Sequence, residues 1–537
     1  MNTVNLIKSL YKEELSPGSE SAGNKSAENK SAGNGPEGNG TAENKTARNE
    51  TARNEAARNE AARNEPTGNG PAGNETAGRG EKLKASEKHM ALFESYSRRL
   101  KDLDPELLTT DDETALKEAF GHAKEVLGPE ELVGWFSSRA EPFYRSASWE
   151  LLFPIYGELL ELAEKDLGPD HPATAAAANG LAGIHRYLGR YDEALSLFSR
   201  ALAIREKTLG PDSPEVGDTL SELGALYYFT EEPEEALECY TRALEIQEKF
   251  LSPENLGSVR TLNRTAFFYQ GMEEPEKAVE LFTRALDLLD NLRKKRPENP
   301  KLQAYTAGTL NNLGVLLSEM GRTEEAAEAY GKALKLQEKA YGPTHPQLAQ
   351  TLNNLGLLYF DTGSPEKALA LYTRALEIFE NLGKTDHSGY ANTLNNLAGV
   401  YVQKRRCREA LKLYEKALAI REKTLGESHP DVAKTLNNLA ELYRSMGEHK
   451  KALPLYERAL KIYETTLGPT HPDVGTTLNN LAGLHESMGE YETAIDLYEK
   501  ALDIIEAAFG IDHPYFKITR NNLLALYEKI ERSWREA

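Results

Sequence analysis

The chain has 537 residues, 39% hydrophobic and 28% charged, with a formal net charge of -20 at pH 7. That acidity opposes phosphate backbones and anionic lipid surfaces, and only two cysteines, Cys239 and Cys407, exclude a disulfide framework and suit a reducing cytoplasm. No apolar run approaches the roughly 18 to 20 residues of a membrane span, and Val4, Leu6 and Ile7 before Lys8 fall short of a secretory signal core, so a cytoplasmic protein that binds neither nucleic acid nor membrane is expected.

Residues 1–20 form a short N-terminal segment, and residues 21–80 divide into twelve consecutive pentapeptides, from SAGNK through TARNE to TAGRG. With almost no apolar bulk, this tract cannot offset its ordering entropy by burial, and it is expected to be a disordered low-complexity linker. Residues 81–176 turn helical in three apolar-periodic segments, EKHMALFESYSRRL, DDETALKEAFGHAKEVLG and PEELVGWFSSRAEPFYRS. Their spacing is irregular, which suits degenerate helices that cap the open N-terminal end of a solenoid.

An internal repeat dominates the remainder. TLNNL begins at Thr309, Thr351, Thr393, Thr435 and Thr477, and weaker copies begin at Ala177, Thr219, Thr261 and Thr519. The spacing is 42 residues except for 48 between Thr261 and Thr309, giving eight units: 177–218, 219–260, 261–308, 309–350, 351–392, 393–434, 435–476 and 477–518. Residues 519–537 then form a C-terminal capping helix. Each unit carries two stretches of helical period, such as TLNNLGLLYFDTG and SPEKALALYTRALEIFENLG, parted by a polar turn. One helical hairpin per unit makes the fold class an all-α solenoid of stacked antiparallel helix pairs.

The linker between units sets its own boundaries. In REKTLGESHPDVAKTLNN, Gly426 suits the left-handed position after a helix, Pro430 holds His429 extended and opens the next helix, and Asp431 favours the positive helix N-terminus. Two alanine columns on each second helix, Ala368 and Ala375 in one unit, recur in all eight units and allow close approach of the paired helices. A ring column lies between them: Phe198, Tyr240, Phe282, Tyr330, Tyr372, Tyr414, Tyr456 and Tyr498. Its place is in the core.

With these columns in hand, the chain resembles the tetratricopeptide repeat family, whose pattern is met by Leu355, Gly356, Tyr359, Ala368, Tyr372 and Ala375. The 42-residue unit, as in ALAIREKTLGESHPDVAKTLNNLA, resembles the kinesin light chain subtype in particular. The resemblance implies a right-handed superhelix whose first helices line a groove for extended peptides. The long heptad segment that joins such light chains to their motor has no counterpart here.

Helical geometry locates that groove independently. Leu352, Leu355, Gly356 and Tyr359 share one sector of the first helix, so Gln350, Asn354, Leu357 and Asp361 share the opposite one. The second Asn of each TLNNL therefore faces away from the hairpin core, giving a candidate ladder of Asn312, Asn354, Asn396, Asn438, Asn480 and Asn522. Amides both donate and accept, so such a row suits the backbone of an extended peptide; the alternative is that the asparagines bond to neighbouring helices. Gln350, Lys434 and Arg264 join the candidate site at equivalent positions, where acids such as Asp218, Glu222, Glu319 and Glu441 also fall, so neither sign dominates.

Nothing points to catalysis or to a cofactor. His171, His345, His429, His471 and His513 each stand alone before Pro, a whole repeat or more apart, which predicts a turn role and no metal site. Gly383-Lys384-Thr385 lacks the first Gly of a phosphate loop, its place being taken by Ile378. The expected function is a non-catalytic adaptor or scaffold for a protein or extended peptide. A regulatory solenoid that self-associates through its convex face or ends is the alternative.

Overall fold

The computed structural model describes residues 74–250 and 256–536, and the pentapeptide tract before Asn74 lies outside them. Among the described residues the chain forms 21 α-helices and two short 3-10 turns, with no strand. They fall into two compact units, one ending at Pro469 and one beginning at Thr470.

The larger unit opens with α1 (Asn74–Arg99), the 3-10 turn Pro105–Leu107, α2 (Thr110–Val126), α3 (Pro129–Arg145) and α4 (Trp149–Asp166). Helix α1 begins inside the last pentapeptides, so the expected boundary at residue 81 is passed by seven residues, 74 to 80. Glu81 to Ala85 are good helix formers, and elongation from them into the Ala- and Glu-containing NETAG costs little once a nucleus exists. Thr109 starts α2 with a reciprocal capping box to Asp112.

Helices α3 and α4 supply a hairpin that the sequence pattern conceals. Leu152, Tyr156 and Leu159 stand one 42-residue step before Ala194, Phe198 and Ala201, and all are buried. Two leucines in the alanine columns disguise the unit while keeping its ring.

From there the helices alternate as first and second members of hairpins. They run α5 (Pro172–Tyr187), α6 (Tyr191–Leu209), α7 (Pro214–Phe229), α8 (Pro233–Gln247), α9 (Gly257–Gly271) and α10 (Pro275–Lys295). Next come α11 (Pro300–Glu319), α12 (Thr323–Tyr341), α13 (Pro346–Asp361), α14 (Pro365–Asn381), α15 (Ser388–Gln403), α16 (Cys407–Leu425), α17 (Pro430–Ser445) and α18 (His449–Thr466). The six extra residues of the 48-residue step lengthen helices: α10 has 21 residues against 19 in α12, and α11 has 20 against 16 in α13. The smaller unit holds α19 (Pro472–Met488), α20 (Tyr491–Phe509) and α21 (Pro514–Glu536).

Both alanine columns of the second helices are fully buried, Ala368 and Ala375 at 0% exposure among them, and every ring of the aromatic column is at most 5% exposed. The rings press on the first helix of their own hairpin. A Cβ on Gly356 would lie 2.6 Å from Tyr372 Cε1, closer than side-chain atoms approach. Ala398, Ala440 and Ala482 hold that place in later units, each fully buried.

Each linker histidine caps the helix it precedes. The Nδ1 atoms of His171, His345, His429, His471 and His513 accept from the backbone N–H two residues on, at 3.1 to 3.2 Å. His387 does the same to Gly389 at 3.0 Å, although no proline follows it. The turn role expected of the histidines is thus an N-cap, with Pro providing pre-set geometry at most of the sites.

The turn within each hairpin needs one residue at positive φ. Gly189, Gly321, Gly363, Gly447 and Gly489 fill it, but Glu231, Glu273 and Arg405 stand there at φ of 62°, 58° and 58°. A non-glycine residue in this region costs about 1 to 2 kcal/mol, and glycine returns roughly 0.5 to 1 of that as chain entropy. Arg405→Gly is therefore expected to stabilise the larger unit by about 0.5 to 1 kcal/mol, with Glu231→Gly adding independently; denaturant unfolding of the single and double variants checks both.

Candidate functional site

The first helices carry TLNNL at a fixed depth because its threonine is buried and self-satisfied. Thr351, Thr393 and Thr435 are at most 1% exposed, and their hydroxyls donate to the carbonyls of Gln347, Gly389 and Asp431 at 3.3, 2.8 and 3.1 Å. The leucines on either side of the asparagine pair, such as Leu352 and Leu355, enter the core. The second asparagines are thereby held half-buried on their helices: Asn312, Asn354, Asn396 and Asn438 in the larger unit, Asn480 and Asn522 in the smaller.

Their amides are wired from hairpin to hairpin. Asn354 Nδ2 donates to Asn311 Oδ1 at 3.2 Å, Asn396 to Asn353 at 3.1 Å and Asn438 to Asn395 at 3.1 Å. Asn395 Nδ2 in turn reaches Asn396 Oδ1 at 3.5 Å, so α17, α15 and α13 are joined by a continuous amide chain, whose members polarise one another. In the smaller unit Asn522 donates to Asn479 at 3.0 Å and Asn479 to Asn480 at 3.2 Å. At Asn354, Asn396, Asn438 and Asn522 the second Asn of one repeat therefore binds the first Asn of the repeat before it. Each such bond uses one of the two N–H groups of the donating amide.

The chain of amides stops at the 48-residue step. Asn263, the position that would pair with Asn312, donates instead to the Thr309 hydroxyl at 3.0 Å. Beyond it charges replace amides in the same wiring. Arg264 stands in the column of Asn354; its Nη1 donates to Ser221 Oγ at 3.0 Å and its Nη2 to Glu222 Oε1 at 2.6 Å. Arg186 approaches the same carboxylate from the other side at 3.3 Å. Burial pushes the Glu222 carboxyl up, but the two guanidiniums outweigh it and hold the group below the usual carboxylate range. Arg264 is thus committed to an internal ion cluster, whereas Gln350 is exposed and Lys434 half-buried.

Aromatic side chains line this charged part of the wall. Tyr187 and Phe229 hold the place of Asp361, Phe267 that of Leu357, and they are 43%, 50% and 40% exposed. Tyr191 stacks on Phe229 with centroids 6.4 Å apart, and Arg186 lies 4.3 Å over the Tyr187 ring. Arg264 and Glu222 are legible in the sequence only as separate charges. Reading each column down its 42-residue step shows Glu222 directly before Arg264 and Tyr187 directly before Phe229, which would have revealed both features.

No group of three or more potential metal ligands occurs among the described residues, and Cys239 and Cys407 are both free. No described helix is long and apolar enough to cross a membrane.

A stack of hairpins with a lined wall of first helices defines a repeat protein built for surface contact. The Tetratricopeptide repeat family model matches residues 143–207, 174–249, 215–291, 305–381, 389–465, 446–507 and 473–535, and the chain belongs to that family. The first match begins within α3 and so takes in α4, the hairpin member masked by its leucines. No curated protein matches the chain. Among solved structures it is similar to BtubC (BKLC) from P. vanneervenii, at 27% identity over 45% of this chain and 94% of that one, with a TM-score of 0.39. It is also similar to the nearly identical repeats of a putative kinesin light chain from Podosopora anserina, at 24% identity over 37% of this chain and 94% of that one, TM-score 0.33. The apo form of the quorum sensor NprR from B. thuringiensis is 15% identical over 70% of this chain and 99% of that one, TM-score 0.45.

Proposed function

We infer that this chain is a non-catalytic, cytoplasmic scaffold that holds an extended peptide segment of a partner protein along the first-helix wall of its larger unit. The observation that carries this reading is the regular column of half-buried amides at Asn354, Asn396 and Asn438, each fixed by one interhelical bond that uses one of its two N–H groups. A side chain already immobilised loses little entropy on binding, so the amides are pre-organised for a backbone. Each peptide bond to them adds roughly 0.5 to 1.5 kcal/mol, which spreads affinity along the wall. Helices about 8 to 10 Å apart and a strand rising about 3.3 Å per residue place successive rungs about three ligand residues apart. The exposed rings of Tyr187, Phe229 and Phe267 offer contact for apolar ligand side chains beyond the amides.

A displayed library of peptides about fifteen residues long, a length that would reach across several rungs, tests the reading. Peptides selected on the wild type should lose binding to Asn396→Leu/Asn438→Leu and be weakened less on Asn353→Ala/Asn395→Ala, which keeps the groove amides but removes the acceptors that fix them. Selected peptides that bind the Leu variant as well as the wild type would refute it and favour a solenoid that works through its other faces.

A further inference from the structure

Repeat solenoids touch mainly their nearest neighbours, so contacts between distant hairpins are exceptional. Among its described residues the larger unit has one such set. The turn Asp104-Pro105-Glu106-Leu107, between α1 and α2, lies against the linkers before α13 and α15, 241 and 278 residues along the chain. Asp104 uses both oxygens: Oδ1 accepts from the Glu106 N–H at 2.9 Å, and Oδ2 meets His345 Nε2 at 2.8 Å. Because His345 Nδ1 accepts from the Gln347 N–H, Nε2 carries the hydrogen and donates it to Asp104. Glu106 repeats the contact one repeat on: Lys384 Nζ donates to its carbonyl, and its carboxylate lies 3.9 Å from His387 Nε2.

The receiving side is shaped for this turn. His345 is 5% exposed and stacks on Tyr341 with centroids 4.2 Å apart, and His387 stacks on Phe379 at 5.3 Å. Both rings spend Nδ1 on capping their helices, which aims Nε2 outward in the same way at two successive linkers. Two carboxylates, two residues apart on a proline-fixed turn, answer them. The Asp104 carboxyl, which burial alone would push up, is held below its ordinary range by His345 and the nearby positive charge of Arg145.

We propose that the Asp104–Leu107 turn is a built-in clasp that ties the N-terminal helices to the α12–α13 and α14–α15 linkers and thereby fixes the curvature of the hairpins between them. Any bending or opening of α5 to α11, the stretch that carries the ion cluster and the exposed rings, must first break these bonds. A ligand that prefers a different curvature is then coupled to the clasp, and releasing the clasp changes that ligand's affinity reciprocally. The clasp restrains motion whether or not a peptide occupies the wall.

Spin labels at Lys101→Cys and Thr344→Cys, with Cys239 and Cys407 replaced by Ala, read the distance across the clasp. The wild type should give one narrow distance population, and Asp104→Ala/Glu106→Ala/Lys384→Gln a longer, broader one with unchanged circular dichroism. Should that variant lose helicity, Lys384→Gln alone gives the readout. An unchanged distribution in a folded variant overturns the proposal, as does a distance that vanishes when labelled chains are diluted with unlabelled ones, which would place the contact between two copies.

Discussion

Replacing Glu222 by Gln is expected to destabilise the larger unit by about 3 kcal/mol at pH 7, although the substitution keeps the shape of the side chain. The carboxylate lies between Arg264 and Arg186, at 2.6 and 3.3 Å, and the Arg186 side chain is only 6% exposed. Removing the acid leaves two guanidiniums facing each other with no countercharge, and breaking a buried pair this way costs about 3 to 5 kcal/mol. The lower end applies because Glu222 and Arg264 retain 21% and 31% exposure and are partly screened. The lowered carboxyl sets the sign of the pH dependence. Its stabilisation is complete above the unfolded-chain value of about 4.3 and is lost as pH falls through the lower folded value. Denaturant unfolding should therefore show wild type and Glu222→Gln converging in acid and separating towards neutrality. A difference under about 0.5 kcal/mol at pH 7 would mean that the cluster is solvated like an ordinary surface pair.

Arg421→Ala is expected to cost about as much, through a different mechanism. Arg421, 3% exposed, crosses from α16 to the next hairpin and donates to the Asp431 carbonyl at 2.7 Å, to Thr435 Oγ1 at 2.5 Å and to Asn392 Oδ1. Truncation leaves a cavity and removes charge-assisted bonds worth about 1.5 to 3 kcal/mol. Thr435 still donates to the Asp431 carbonyl at 3.1 Å, so that acceptor is not orphaned and the cost stays near about 3 kcal/mol. Neighbouring repeats show what the site tolerates. Phe379 and Tyr463 occupy the same place one repeat before and after, 1% and 4% exposed. Arg421→Phe should accordingly recover a large part of what Arg421→Ala loses, and equal losses in the two would show that the bonds, not the filled volume, set the stability. Arg205 repeats the arrangement in α6, donating to Thr219 Oγ1 at 2.5 Å and to the Glu215 carbonyl at 2.9 Å.

The fold was legible because its signals are periodic and local. A 42-residue recurrence, two alanine columns and a ring column leave a stack of hairpins as the simplest way to bury those residues together, and each of them is buried. What periodicity concealed was either aperiodic or long-range. Leu152 and Leu159 broke the alanine columns and hid the α3–α4 hairpin; Ser388 in place of proline hid the cap at His387. The asparagine column was readable as a direction on a helix, but its bonding partner was not, since a helical wheel shows which sector a side chain faces and not what the adjacent helix offers. The interhelical pairing, left open as the alternative, is present in Asn354, Asn396 and Asn438, and the groove reading now rests on the regular column that those bonds hold in place. The clasp at Asp104 was beyond sequence reading altogether, because its partners lie 241 and 278 residues away.

Photo-crosslinking tests most directly whether ligand lies along the first-helix wall. A benzophenone side chain placed at Gln350, exposed beside the amide column, should capture a selected peptide on illumination, whereas the same group at Lys335, exposed on the second helix α12, should not. Capture at position 335 with none at 350 would put the ligand on the opposite face and contradict the account.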